Sequence, residues 1–473
     1  MTRPNVVVIL TDDHAAHAIG AYGSVVNTTP RIDEIADAGA LVENCFATNS
    51  LCSPSRASIL TGTYSHINGV TTLVTPIDAS QPSFVSQLKE QGYRTAIVGK
   101  WHMGDGAGHD PEGFDYWDVL IEQGEYHDPT FLSADGLRTE KGYATDLITD
   151  LALRWLESLE GDDPWCVLIW HKAPHRPWQP APRHAERHRE PIPVPITWDD
   201  DYATRTSSSR RAAMRIAEHL NAEDLKTDPP RGLSYEDEGL WKYQRFMEDY
   251  LRCVDAVDEN VGRVTDWLRA RGEFDDTLLM YASDQGFFLG DHGWFDKRFM
   301  YEESIRMPLV MSYPRRIPAG VRYEGISTNV DFARTILDAA GADASPRMQG
   351  RSLLHDLGGG GESDAPDGFY YRYWEHDDVF HRAPAHYGYR TARHKLIYFY
   401  NDGLGLAGTG AFTYPGEWEL YDLEADPNEE HNRAGDPESA EVFGRMRAAL
   451  RAAQSAAGDE PHPSEPALDA ILG

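Results

Sequence analysis

Cysteine is scarce in this chain, with four in 473 residues. Cys45, Cys52, Cys166 and Cys253 show no Cys-x-x-Cys pairing and no zinc-ligand spacing. A reducing, cytoplasmic setting is therefore expected. Long apolar runs are also missing. No stretch approaches the roughly 18–20 apolar residues of a membrane-spanning helix, so no membrane partner is expected. The opening MTRPNVVVIL leaves no room for a signal peptide ahead of the first strand-like segment. Positive charge is in deficit, with 44 Lys and Arg against 76 Asp and Glu, a formal charge of −32. Such a surface repels nucleic acid and anionic lipid, and any anionic substrate needs a local positive pocket.

What is present is a core. Apolar residues make up 41% of the chain, and its length suits two domains. The Gly-rich, acidic DLGGGGESDAPDG at 356–368 divides a larger unit, 1–365, from a smaller one, 366–473. Four short apolar runs stand out: NVVVIL at 5–10, TAIVG at 95–99, WCVLIW at 165–170 and TLLMYAS at 277–283. Uninterrupted runs of this length suit strands covered on both faces. Helix-patterned segments lie between them, which gives an α/β class with a mainly parallel sheet. Residues 176–239, rich in Pro, Arg, Ser and Asp, read as a long excursion beside the site.

Each apolar run ends in residues that can do chemistry: Asp12 and Asp13; Lys100 and His102; His171 and His175; Asp284 and Gln285. In open α/β sheets, ligands bind beyond the carboxyl ends of the strands. Asp12, Asp13, Asp284 and Gln285 offer oxygen donors only, which favours a hard cation such as Ca2+, with Mg2+ or Mn2+ as alternatives. Lys100, His102, His175 and Lys297 form the matching anion clamp. In LCSPSRASILTG, 51–62, Pro54 and Ser55 suit the first turn of a helix capped by Ser53 or Cys52. Cys52 then lies at the positive end of the helix dipole. Spacing alone leads to metal-assisted attack on an anionic ester, with a Cys52 thiolate as one candidate nucleophile.

CSPSRASILTG resembles the signature of the type I sulfatases of the alkaline phosphatase superfamily, whose cysteine is oxidised by a separate formylglycine-generating enzyme. VVVILTDDH, GKWHMG, SDQGFFLGDHGWFDKRFMYEES and WELYDLEADPNEEHN resemble further motifs of that family. The resemblance implies an alkaline phosphatase-like sheet domain, followed by a small antiparallel sheet with a helix in 441–454. It implies that Asp12, Asp13, Asp284, Gln285 and the modified Cys52 hold one Ca2+. The hydrated aldehyde would attack sulfur, with Arg56 orienting it and Lys100 and Lys297 holding sulfate oxygens. His175 would protonate the leaving alcohol, and His102 would help expel sulfate. Many relatives carry Asn at the position of Gln285, while phosphonate and phosphodiester hydrolases often carry His. Gln285 thus leans toward sulfate esters.

For the substrate, HKAPHRPW and the aromatic stretch after 368 resemble relatives acting on sulfated carbohydrates. Arg176, His292, Arg372, Trp374, His376 and His381 are candidate contacts, and His14 is another. The alternatives are a small aryl or alkyl sulfate, or a phosphonate monoester or phosphodiester.

Overall fold

The computed structural model describes residues 3–361 and 363–466. Its main sheet has ten strands. Their order is Val321–Tyr323, Ala40–Val42, Leu309–Ser312, Thr277–Ser283, Asn5–Thr11, Trp165–Trp170, Arg94–Lys100, Tyr116–Leu120, Thr130–Ser133, Gly136–Thr139. The five consecutive strands from Thr277–Ser283 to Tyr116–Leu120 are parallel. All four apolar runs are among them. The class read from the sequence, a mixed and mainly parallel sheet, is the one observed.

The strands are continuously apolar because both faces are covered. Along Asn5–Thr11, Val7 and Ile9 join Val254 and Val261 of the helix Tyr235–Ala270 in one layer. Val6, Val8 and Leu10 join Ile59, Phe332 and Ile336 in the other. Each fully buried Val, Leu or Ile contributes about 1.5–3 kcal/mol. The alternation therefore fixes the register of the central strands, and with it the positions of the residues that follow them.

The helix Pro30–Ala38 on the first layer is capped from outside its own segment. Thr29 at its N-cap makes no side-chain cap bond. Instead Asp258, on the long helix, accepts from the Arg31 N–H at 3.0 Å and the Ile32 N–H at 2.9 Å. The carboxylate meets both the orphan donors and the positive end of the dipole.

A second, antiparallel sheet takes the order Gly368–Tyr373, His386–Thr391, His394–Phe399, Glu417–Asp422. The helix Ala440–Ala457 covers it through Phe443, Met446 and Leu450. A buried triad ties this sheet to the larger one. The Lys395 ammonium lies 2.9 Å from Glu302 and 2.7 Å from Glu429, and Lys395 is fully buried. The excursion at 176–239 is packed rather than loose: Trp178, Met214 and Ile216 are fully buried.

Two outcomes follow. Asp258→Ala leaves two N–H donors uncapped and lowers stability by about 1–2 kcal/mol in chemical denaturation, with Asp258→Asn affected less. Lys395→Met leaves the buried Glu429 without its cation, while Glu302 keeps Arg390 at 2.9 Å, and costs about 3–5 kcal/mol, read as a lowered Tm.

Candidate active site

The parallel strands deliver their last residues to one edge, and backbone bonds lock them there. The Asp284 N–H donates to Thr11 O at 3.0 Å, and the His171 N–H to Leu10 O at 2.7 Å. Asp13 and His102 have left-handed backbone, with φ of 69° and 56°. Such strain in residues other than glycine costs about 1–3 kcal/mol and clusters at functional sites. The helix Cys52–Thr61 points its first turn at the same edge. Its N-cap is Leu51, with no side-chain cap bond, so the expected capping by Ser53 or Cys52 is corrected. Cys52 is the first helical residue, and its Sγ lies 3.1 Å from Asp12 Oδ1.

Three buried carboxylates meet three buried cations. Lys100 pairs with Asp12. Lys297 lies 2.7 Å from Asp13 Oδ1. Arg56 reaches Asp284 at 3.0 Å and Asp12 at 3.4 Å, and it donates to Lys100 O at 2.7 Å. Burial opposes the Asp12 charge, but Lys100, His175, Arg56 and Lys297 outweigh it and hold that carboxyl well below the usual range. Burial, with Asp12 alongside, pushes Asp13 and Asp284 up. Burial and the Asp12 charge also push the Cys52 thiol well up. Both disfavour the thiolate nucleophile entertained from the sequence, and the Cys52 S–H donates to Asp12 instead.

The two expected histidines flank this cluster. His175 Nε2 is 3.7 Å from Asp13 Oδ2, and its Nδ1 is 2.6 Å from Arg176 O. The carbonyl fixes the proton on Nδ1 and turns Nε2 toward the carboxylates. His102 is held by Ser53, whose hydroxyl donates to His102 O at 2.6 Å. Burial and Lys100 push both imidazoles well down. His171 and His14 are buried elsewhere. His14 contacts Tyr281 OH at 2.5 Å, and burial lowers both histidines to about 3.

The expected substrate contacts divide. Arg176 and His381 lie next to the cluster, Arg176 adjoining His175 in the chain. They lie 3.2 Å apart, and His381 Nε2 is 3.3 Å from Asp296, the neighbour of Lys297. Four others are corrected. His292 is fully buried beneath Trp294 and Tyr301, 2.8 Å from Asp200. Arg372 pairs with Asp459 at 2.8 Å and stacks over Trp374. Trp374 is thereby committed to packing. His376 is spent on Phe412 O at 2.9 Å and the Ala385 N–H at 3.0 Å. All four are buried in packing and pairing inside the fold, away from the carboxylate cluster.

Several neighbours were not foreseen. Gln123 Oε1 accepts from Lys100 Nζ at 2.5 Å. Tyr126 OH donates to His175 O at 2.7 Å, and its ring lies 4.9 Å from Lys172 Nζ. Burial and Lys100 lower Lys172 to about 8. Gln123 and Tyr126 sit in a turn with no motif. Above the cluster opens a cavity of about 610 Å3, lined by Trp101, His102, Gln123, Leu73, Val74 and Phe380. Phe380, from the segment between the first two strands of the small sheet, is 78% exposed. The excursion at 176–239 contributes nothing to this wall among the described residues.

The residues fit a hard divalent cation. Asp12, Asp13 and Asp284 each offer an oxygen, all within 4.8 Å of one another. Gln285 Oε1 is buried without a hydrogen-bond partner among the described residues, while its Nε2 donates to Asp13 at 2.6 Å. Turning the amide over presents a fourth oxygen to the carboxylates. A thiol is a poor partner for such an ion, whereas an oxygen at the same position completes the set.

Comparison with known proteins agrees with this geometry. The sulfatase family model matches residues 4–342, and the model of the N-sulphoglucosamine sulphohydrolase C-terminal region matches 290–456. The chain is 42% identical to an N-acetylglucosamine-6-O-sulfatase of Bacteroides thetaiotaomicron over 93% of its own length and 84% of that protein. A solved structure described as a complex with its substrate, D-glucosamine-2-N,6-O-disulfate, superposes with a TM-score of 0.90 at 40% identity, covering 98% of this chain and 100% of that one. A phosphonate monoester hydrolase of Agrobacterium radiobacter shares the fold, with a TM-score of 0.75 at 22% identity over 96% of each chain. With the carboxylates, the lysines and the signature cysteine gathered at one sheet edge, this chain belongs to the sulfatase family of the alkaline phosphatase superfamily and is a sulfuric ester hydrolase.

Proposed function

We propose that this sulfatase removes the 6-O-sulfate from a glucosamine-type sugar, using a formylglycine made from Cys52 by a formylglycine-generating enzyme, with Ca2+ in the carboxylate cluster. The substrate reading rests on the 42% identity to the N-acetylglucosamine-6-O-sulfatase and is supported by the neighbour bound to a glucosamine disulfate. The modification and the ion are supported by one observation. Cys52 Sγ stands 3.1 Å from Asp12 Oδ1, so the oxidised side chain adds an oxygen where three carboxylates already converge.

Asp12, Asp13, Asp284 and Gln285 would hold the cation, which supplies Lewis acidity and lowers the pKa of a hydroxyl group. Lys100 and Lys297 each carry three N–H donors; Asp12 and Gln123 take two of those of Lys100 and Asp13 takes part of those of Lys297, so the remainder can reach sulfate oxygens. Arg56 braces Asp12 and Asp284 and sets the orientation of the first helical turn. The Nδ1–H of His175 is spent on Arg176 O, so donation to the departing sugar oxygen requires a second proton, on Nε2. Burial and Lys100 oppose that proton, and the incoming sulfate, by offsetting Lys100 and Lys297, favours its uptake. His102, kept neutral by burial and Lys100, accepts a proton from the second hydroxyl of the hydrated aldehyde.

Three measurements test this. Mass spectrometry of the 51–56 peptide from the native host shows the aldehyde at Cys52, and its absence in active enzyme sinks the modification. Cys52→Ser, which lacks the second hydroxyl, retains one sulfate per chain after exposure to substrate, whereas Cys52→Ala retains none. Millimolar Ca2+ raises Tm by several degrees in the parent and not in Asp284→Asn, while chelation abolishes sulfate release. If sulfate is released from aryl esters but from no glucosamine 6-sulfate, the substrate assignment fails and the reaction class stands.

A further inference from the structure

One buried cation beside the cluster has no carboxylate of its own. Among the described residues, the buried lysines Lys100, Lys242, Lys297 and Lys395 each pair with an acidic side chain. Lys172 is 3% exposed and pairs with none among the described residues. An ammonium held away from water without an opposite charge is costly, so the contacts it does make call for a reason.

Those contacts lead to His175. Lys172 Nζ donates to Arg176 O at 3.5 Å, the same carbonyl that accepts from His175 Nδ1 at 2.6 Å. Lys172 Nζ also lies 4.9 Å from the centre of the Tyr126 ring, where the quadrupole of the aromatic face attracts a cation. The Tyr126 hydroxyl in turn donates to His175 O at 2.7 Å. Tyr126 is itself fixed: it stacks on Tyr143 at 5.9 Å, and its carbonyl accepts from the Ala144 N–H at 2.8 Å. The His175 N–H closes the turn from within, donating to Lys172 O at 3.0 Å. Lys172 and Tyr126 thus hold two successive carbonyls, those of His175 and Arg176. Among the described residues, the bond to Arg176 O is the only hydrogen bond of the His175 ring. The direction of that carbonyl therefore sets the direction of Nε2.

We propose that Lys172 and Tyr126 are positioning residues for proton transfer, clamping this turn so that His175 Nε2 faces the departing alcohol oxygen. This rests on the reading of His175 as the acid given above. In the step they serve, the alcohol oxygen keeps the electron pair of its breaking bond to sulfur and takes the proton from Nε2, and the imidazole is left neutral.

The test uses the formylglycine-bearing enzyme, N-acetylglucosamine 6-sulfate and three variants. Lys172→Met keeps the length of the side chain and removes its charge. Tyr126→Phe keeps the ring and removes the hydroxyl. His175→Ala removes the acid. The first two each lower kcat by about tenfold or more and change KM by less than about twofold, since a misplaced acid loses part of the roughly 100- to 10,000-fold that proton transfer supplies. In crystal structures of these two variants the His175 ring has left Arg176 O. Added to His175→Ala, Lys172→Met lowers kcat no further, which a general structural role would not reproduce. A ring that stays on Arg176 O in both variants overturns the proposal. So does a loss of kcat from Lys172→Met that is as large in the His175→Ala background as in the parent. The crystal structures need no turnover, so they decide the question even where this sugar is not hydrolysed. A His175→Ala enzyme with parental kcat instead removes the reading of His175 as the acid, and this inference with it.

Discussion

The structure depends on neutralising three carboxylates that the fold buries at the end of one sheet. Asp12, Asp13 and Asp284 are all fully buried, and isolated charges there would be prohibitively costly. Lys100, Lys297 and Arg56 supply the balance, and removing one partner of such a pair strands the other. The balance bears on the proposed cation: a divalent ion added to three carboxylates already matched by three cations would leave a surplus of two positive charges, which would draw in an anionic ester against the −32 charge of the whole chain.

This arrangement is built from distant segments, and the sheet makes it affordable. Residues that end adjacent parallel strands need no long connection to meet. Asp12 and Asp284 are held together by the pairing of Asn5–Thr11 with Thr277–Ser283, and His171 by the pairing with Trp165–Trp170. The helix Cys52–Thr61 then closes the cluster from one side, through Arg56 and Cys52. Packing of apolar strand residues on both faces thus determines where the charges lie, and the charges determine what can bind.

Much of this was legible in the chain. The apolar runs marked the central strands, and the polar residues directly after them marked the sheet edge, because strand direction and register leave little freedom there. The cysteine signature and its companions located Cys52, Arg56, Lys100, His102 and Lys297. The contacts beyond the cluster were not legible. Arg372 and Trp374 looked like sugar-binding groups, but an aromatic beside an arginine reads the same whether it faces a ligand or, as here, packs with Asp459. His292 lay inside a motif yet is buried with Asp200, from the excursion. Gln123 and Tyr126 carry no pattern at all, since their importance comes from long-range contacts to Lys100 and His175. The cap supplied by Asp258 to a helix some 230 residues earlier in the chain escaped for the same reason: Asp258 and Arg31 lie 227 positions apart.

Cys52 is 1% exposed, in the first turn of a helix whose every residue is buried. A catalyst the size of a protein has no route to that sulfur once the helix has docked. Any enzymatic oxidation of Cys52 therefore belongs to the biogenesis of the chain, before its tertiary structure closes. On the formylglycine reading, maturation and folding would compete in time, and a molecule that folds first would keep its thiol.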